Sequence, residues 1–120
     1  MNNDEPFTYA NRAMAYIKMK DYRKAIDDAN TALEMKPGYL KAFHRRGKAY
    51  AALNEHDLAI KDFQTILESE PENKEVNKDL MAARTLLNDK ILKEIEKENK
   101  KKGKSKGSSK NGKDAKPKET

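Results

Sequence analysis

Between residues 6 and 73, apolar and polar positions alternate with the period of a helix. From Leu40 to Leu53 and from His56 to Ser69, apolar residues recur three and four positions apart, which gathers them on one helical face. Asn54 separates the two runs and Pro71 closes the second, so the pattern predicts two helices joined by a tight turn. The same arrangement runs from about Phe7 to Met19 and from Tyr22 to Met35, with Lys20-Asp21 at the turn and Pro37-Gly38 at the exit. A further stripe of Val76, Leu80, Ala83, Leu87, Ile91 and Ile95 predicts a helix over residues 74–99, suited to covering the open apolar face of the last hairpin. Its end is charged nearly all round and is expected to project into water.

The two hairpins are copies. At an offset of 34 residues, Arg12, Ala15, Tyr16, Ala25, Ile26, Asp28, Thr31, Leu33, Glu34 and Pro37 recur as Arg46, Ala49, Tyr50, Ala59, Ile60, Asp62, Thr65, Leu67, Glu68 and Pro71. The small residues Ala13, Gly47, Ala25 and Ala59 fall where antiparallel helices must approach closely, and Tyr16, Tyr50 and Phe63 have the bulk to fill the space beside them. The fold class expected is all-α: tandem antiparallel helical hairpins in a solenoid, followed by a capping helix. The chain divides into a connector (1–5), two repeats (6–39 and 40–73), the capping helix (74–99) and a lysine-rich tail (100–120).

Composition sharpens this division. Of 120 residues, 38% are charged and 36% hydrophobic, which predicts a thin core and much solvated surface. Residues 100–120 hold nine lysines and two acids, whereas residues 1–99 hold 17 basic and 18 acidic side chains, so the overall charge of +6 belongs to the tail. That tail has no apolar periodicity and is expected to be disordered. Lysines without interleaved arginine or aromatic residues do not favour specific nucleic-acid recognition, although salt-dependent contact with polyanions follows from their charge. The chain has no cysteine, which excludes disulfides, thiol catalysis and sulfur metal sites. The polar start MNNDEPF does not resemble a targeting peptide and no apolar run reaches membrane-spanning length, so a cytoplasmic location is expected, with the nucleus open.

Numbered from Pro6 and Leu40, each 34-residue unit resembles the tetratricopeptide repeat. It has an aromatic residue at position 4 (Tyr9, Phe43), a small one at 8 (Ala13, Gly47), Tyr at 11 (Tyr16, Tyr50), Ala at 20 (Ala25, Ala59) and Pro at 32 (Pro37, Pro71). Ala29 replaces an aromatic in the first unit where the second has Phe63, and Ile66 stands in the place of the usual alanine matched by Ala32. Such arrays usually need about three units. The expectation is therefore an upstream repeat, or association through the open face of the first hairpin.

Lys41, Arg45 and Lys48 fall at i, i+4 and i+7, on one face of the first helix of the second hairpin. Asn11 occupies in the first hairpin the place of Arg45 in the second. An amide and two cations facing one groove form a receptor for carboxylates, since guanidinium binds an oxyanion bidentately while the amide and ammonium donate single bonds. The set is similar to the carboxylate clamp of co-chaperone tetratricopeptide domains, matching three of its five positions. The resemblance implies a peptide-binding site at Asn11, Lys41 and Arg45, with Met14, Lys18, His44 and Lys48 as secondary groove residues. It implies as partners the acidic C-terminal tails, ending in Glu-Glu-Val-Asp, of the seventy- and ninety-kilodalton heat-shock chaperones. Ala52 is small at a groove position that is bulky in some members, which leaves the choice of chaperone open.

The other readings are a solvated cationic face on a scaffold repeat that docks a folded partner, and a basic-tailed nucleic-acid adaptor. No cofactor is implied, and His44 and His56, twelve residues apart, do not form a metal motif. Asp27 and Asp28 are read as solvated residues of an outer helix. No nucleophile with a base and no phosphate-cradling loop appears, so an enzyme is not expected.

Overall fold

The computed structural model describes residues 5–103, with side chains to Lys100. Five helices follow one another: α1 (Pro6–Lys18), α2 (Tyr22–Met35), α3 (Leu40–Ala52), α4 (His56–Ser69) and α5 (Lys74–Gly103). Among the described residues there is no strand. α1 packs on α2, α3 on α4, and α3 also on both α1 and α2, the stacking expected of consecutive hairpins. No helix among the described residues is long and apolar enough to cross a membrane.

Local chemistry sets the helix ends. Pro6 opens α1, where its missing N–H costs nothing. Asn73 caps α5 by accepting the Val76 N–H on Oδ1 at 3.0 Å. α1 and α3 close alike: the Asp21 and Glu55 amides reach back to the carbonyls of Tyr16 and Tyr50, and the Lys20 and Asn54 amides to those of Ile17 and Ala51. This is the Schellman arrangement, and it requires the left-handed backbone found at both Lys20 and Asn54, each at φ 64°. Gly38, at φ 85°, turns the chain from α2 toward α3.

Residues up to Leu87 form one compact unit. One apolar cluster joins Ala13, Ala25, Ile26 and Ala49, bordered by Tyr16, Ile17, Tyr22, Tyr50 and Leu53. A second joins Ala59, Phe63, Ile66, Val76, Leu80 and Ala83, with Tyr50 at its edge as well. The small residues act as expected: Ala13, Ala25 and Ala59 are fully buried, and a Cβ on Gly47 would stand 2.6 Å from Cε1 of Phe63. α5 thus covers the second hairpin through Val76, Leu80 and Ala83.

The capping stripe is shorter than the periodicity suggests. Leu87 is half-buried, whereas Ile91 and Ile95, in the second unit that opens at Asn88, are 47% and 49% exposed. Every residue from Asn88 to Lys100 is exposed, and the helix continues to Gly103 instead of ending near residue 99. Residues 100–103, which the expectation placed in a disordered tail, are helical, and the rest of that tail, 104–120, lies outside the described residues.

Candidate functional site

α3 carries the cations. Lys41 is exposed, Arg45 half-buried, His44 12% exposed and Lys48 30% exposed. Lys41, His44 and Arg45 line one cavity of about 340 Å³, together with Leu40, Ile66 and Glu70 of the second hairpin and Asn73, Glu75 and Val76 at the start of α5. Arg45 Nε is buried and has no hydrogen-bond partner, and among the described residues no carboxylate lies within ion-pairing distance of Lys41 or Arg45. A buried, unsatisfied guanidinium nitrogen costs free energy until an acceptor reaches it, so the cavity is suited to an incoming oxyanion.

The other two basic residues of this face are already engaged. His44 Nε2 lies 2.9 Å from Asp79 Oδ2, its ring edge-on to Phe63 with centroids 6.1 Å apart. Lys48 Nζ lies 3.6 Å from the same Asp79 oxygen and 3.9 Å from Glu75. His44, Glu75 and Asp79 present possible metal-ligand atoms within 4.8 Å of one another, a convergence that chain spacing could not reveal. The Lys48 ammonium already supplies a positive charge beside these carboxylates.

Asn11, Met14 and Lys18 lie on α1, outside the lining of the Lys41–Arg45 cavity: Asn11 and Lys18 are exposed and Met14 is half-buried. α1 packs directly against α3. Ala52 lines a separate, mainly apolar cavity of about 270 Å³ with Ile17, Tyr22, Ala51, Phe63 and Leu86, and Lys48 and Asp79 also line it. The small side chain at this position leaves space there.

Asp28 departs from expectation, because it is not solvated: its side chain is 8% exposed and accepts two hydrogen bonds from Arg12, from Nε at 2.7 Å and Nη2 at 2.8 Å. Arg46 repeats this bidentate pairing with Asp62 at 2.9 and 2.8 Å, and its Nη1 also donates to Asn30 Oδ1 of the first hairpin. Hydrogen bonding to Asp28, then its charge, raises the Arg12 pKa further above its ordinary value, and hydrogen bonding to Asp62 likewise raises that of Arg46. Each guanidinium also lies near two aromatic rings, Tyr9 and Tyr16 for Arg12 and Phe43 and Tyr50 for Arg46. The available signal was that arginine and aspartate recur together at the repeat offset.

Comparison with known proteins agrees with this architecture. Family models described as tetratricopeptide repeat match residues 6–39 and 40–73. Serine/threonine-protein phosphatase T of Aspergillus oryzae is 39% identical over 83 residues, which cover 69% of this chain and 17% of that protein. A solved structure of the first TPR of Spaghetti (RPAP3) bound to the HSP90 peptide SRMEEVD is 37% identical, with a TM-score of 0.67, covering 69% of this chain and 66% of the other. The second TPR domain of human RPAP3, solved with the HSP70 peptide SGPTIEEVD, is 39% identical, with a TM-score of 0.64 and 67% of each chain covered. Among curated relatives such as the phosphatase, sperm-associated antigen 1 of Rattus norvegicus and dynein axonemal assembly factor 4 of Pongo pygmaeus, the matched segment spans 10% to 24% of the full length.

Proposed function

Because the chain belongs to the tetratricopeptide repeat family, a family of protein-interaction modules, we propose that it is a co-chaperone adaptor that grips the acidic C-terminal tail of heat-shock chaperones. The observation that carries this reading is the buried, unpartnered Nε of Arg45 in a cavity shared with Lys41. A terminal carboxylate accepts hydrogen bonds from the Lys41 ammonium and the Asn11 amide, while the Arg45 guanidinium takes a second carboxylate of the same peptide. The Spaghetti and human RPAP3 domains, solved with peptides ending in EEVD, support the choice of ligand. The phosphatase activity named for the Aspergillus relative is a property of that longer protein.

Titration with a peptide ending in Glu-Glu-Val-Asp, followed by backbone amide shifts, tests the reading. The free-carboxylate peptide should bind, with affinity falling as salt rises, and C-terminal amidation should lose most of the binding. Arg45→Ala should cost about 1.5 to 3 kcal/mol, the range for a hydrogen bond to a charged group. Lys61→Ala, an exposed position on α4 away from the cavity lining, should change little. Equal binding of free and amidated peptides, or equal losses at Lys61 and Arg45, would leave the domain a scaffold that recognises something other than a chain terminus.

A further inference from the structure

The basic face of α3 is divided by α5. Asp79 meets both His44, at 2.9 Å, and Lys48, at 3.6 Å, while among the described residues Lys41 and Arg45 form no ion pair. Asp79 is held firmly in this position, since its side chain is 24% exposed and it lies one residue before Leu80, which is buried in the core cluster against α4. Glu75, one helical turn earlier on the same face, adds a second negative charge 3.9 Å from Lys48 but is 66% exposed and more strongly screened.

Resting on the peptide-binding reading above, we propose that Asp79 is a specificity-determining residue, a built-in competitor that withholds His44 and Lys48 from acidic ligands. Two consequences follow from charge alone. A carboxylate approaching His44 or Lys48 must displace Asp79 and meets its repulsion, so acidic side chains within a peptide gain little on that side of the groove. A carboxylate approaching Lys41 and Arg45 breaks no ion pair among the described residues, although Glu70 and Glu75 line the same cavity, and it satisfies a nitrogen that is otherwise buried and unpaired. In the reading above the C-terminal carboxylate goes to Lys41 and a second carboxylate to Arg45, so an acidic chain without a free end must rely more on the side of the groove that Asp79 guards.

The test compares Asp79→Asn with the wild-type chain against two peptides ending in Glu-Glu-Val-Asp, one with a free C-terminus and one amidated. The asparagine keeps the shape and a hydrogen-bonding oxygen while removing the charge. The variant should bind the amidated peptide about fivefold more tightly, the effect of removing one repulsive charge in a partly solvated groove. Affinity for the free peptide should rise less, so the preference for the free terminus narrows. Adding Lys48→Gln to Asp79→Asn should reduce the gain, since the freed ammonium supplies part of it. A residue that merely ties α5 to α3 would lower the melting temperature and weaken both peptides equally, leaving their ratio where it was. An unchanged or wider ratio in Asp79→Asn overturns the inference while the peptide-binding reading stands. A wild-type chain that binds neither peptide overturns both.

Discussion

Gly47 and Phe63 form a matched pair whose fit can be measured. An alanine Cβ at position 47 would meet Phe63 at 2.6 Å from Cε1, 3.0 Å from Cδ1 and 3.1 Å from Cζ. Ordinary carbon contacts need about 3.5 Å or more, so the ring would have to retreat by nearly 1 Å. Phe63 is 1% exposed and the core is close-packed, so that retreat disturbs its neighbours. Overpacking of this kind costs about 1 to 3 kcal/mol, offset by about 1 kcal/mol from replacing glycine inside a helix. Gly47→Ala should therefore destabilise the domain by up to about 2 kcal/mol. At the equivalent places the first hairpin carries Ala13 and Ala29, a larger residue facing a smaller one. Once Phe63 is truncated to leucine or alanine, Gly47→Ala should change sign and stabilise by about 0.5 to 1 kcal/mol, only its helical preference remaining. Urea unfolding followed by helical circular dichroism gives the four stabilities of the cycle. The same cost at position 47 in both backgrounds would refute the reasoning.

The two arginine–aspartate pairs should differ in weight. Arg12 is 57% exposed and Arg46 23%, so Asp62→Asn should cost about 2 to 4 kcal/mol in thermal unfolding and Asp28→Asn about 1 to 2, because water reaches Arg12 once its partner is gone. Equal losses would mean that exposure does not govern these pairs. Lys20 holds a left-handed backbone that lysine adopts at a cost of about 1 kcal/mol, so Lys20→Gly should raise stability by about 0.5 to 1 kcal/mol in the same assay, with a smaller gain for Asn54→Gly. A loss at Lys20 would show that its side chain contributes more than its backbone strain removes.

Elements with a local cause are legible in the sequence. The helices follow from apolar periodicity, the α2–α3 exit from Pro37-Gly38, and the turn after α3 from Asn54, a residue that tolerates the left-handed region. Lys20 adopts the same conformation without any such signal, and only its register with Asn54 points to it. Asp28 is easily mistaken for a solvated residue because Asp27 and Asp28 differ in direction by one helical step, and composition does not say which of them faces Arg12, sixteen residues away. The stripe on α5 marks its apolar face correctly, but periodicity does not state where covering residues end, and Ile91 and Ile95 stay exposed. For the site, the cations of α3 can be read from the chain, whereas their carboxylates cannot. His44 meets Asp79 across 35 residues, a pairing set by how α5 lies on the second hairpin.

Register explains which of these charges are structural and which remain open to a ligand. Position 7 of each repeat, Arg12 and Arg46, turns toward the second helix of its own hairpin, where an aspartate recurs at the same offset to receive it. Positions 2 and 6 have no such partner in either hairpin: Lys41 and Arg45 hold them in the second, and Phe7 and Asn11 in the first. Phe7 and Asn11 are both exposed. Arginine therefore appears at neighbouring positions 45 and 46 with opposite fates, since consecutive helical residues point about 100° apart. Arg46 holds two helices and two repeats together through Asp62 and Asn30, which commits three of its five N–H donors and pairs its charge within the domain. Arg45, one step round the helix, keeps a buried nitrogen without an acceptor. A repeat can thus carry many arginines and lysines and still offer a ligand only the few that its own aspartates cannot reach.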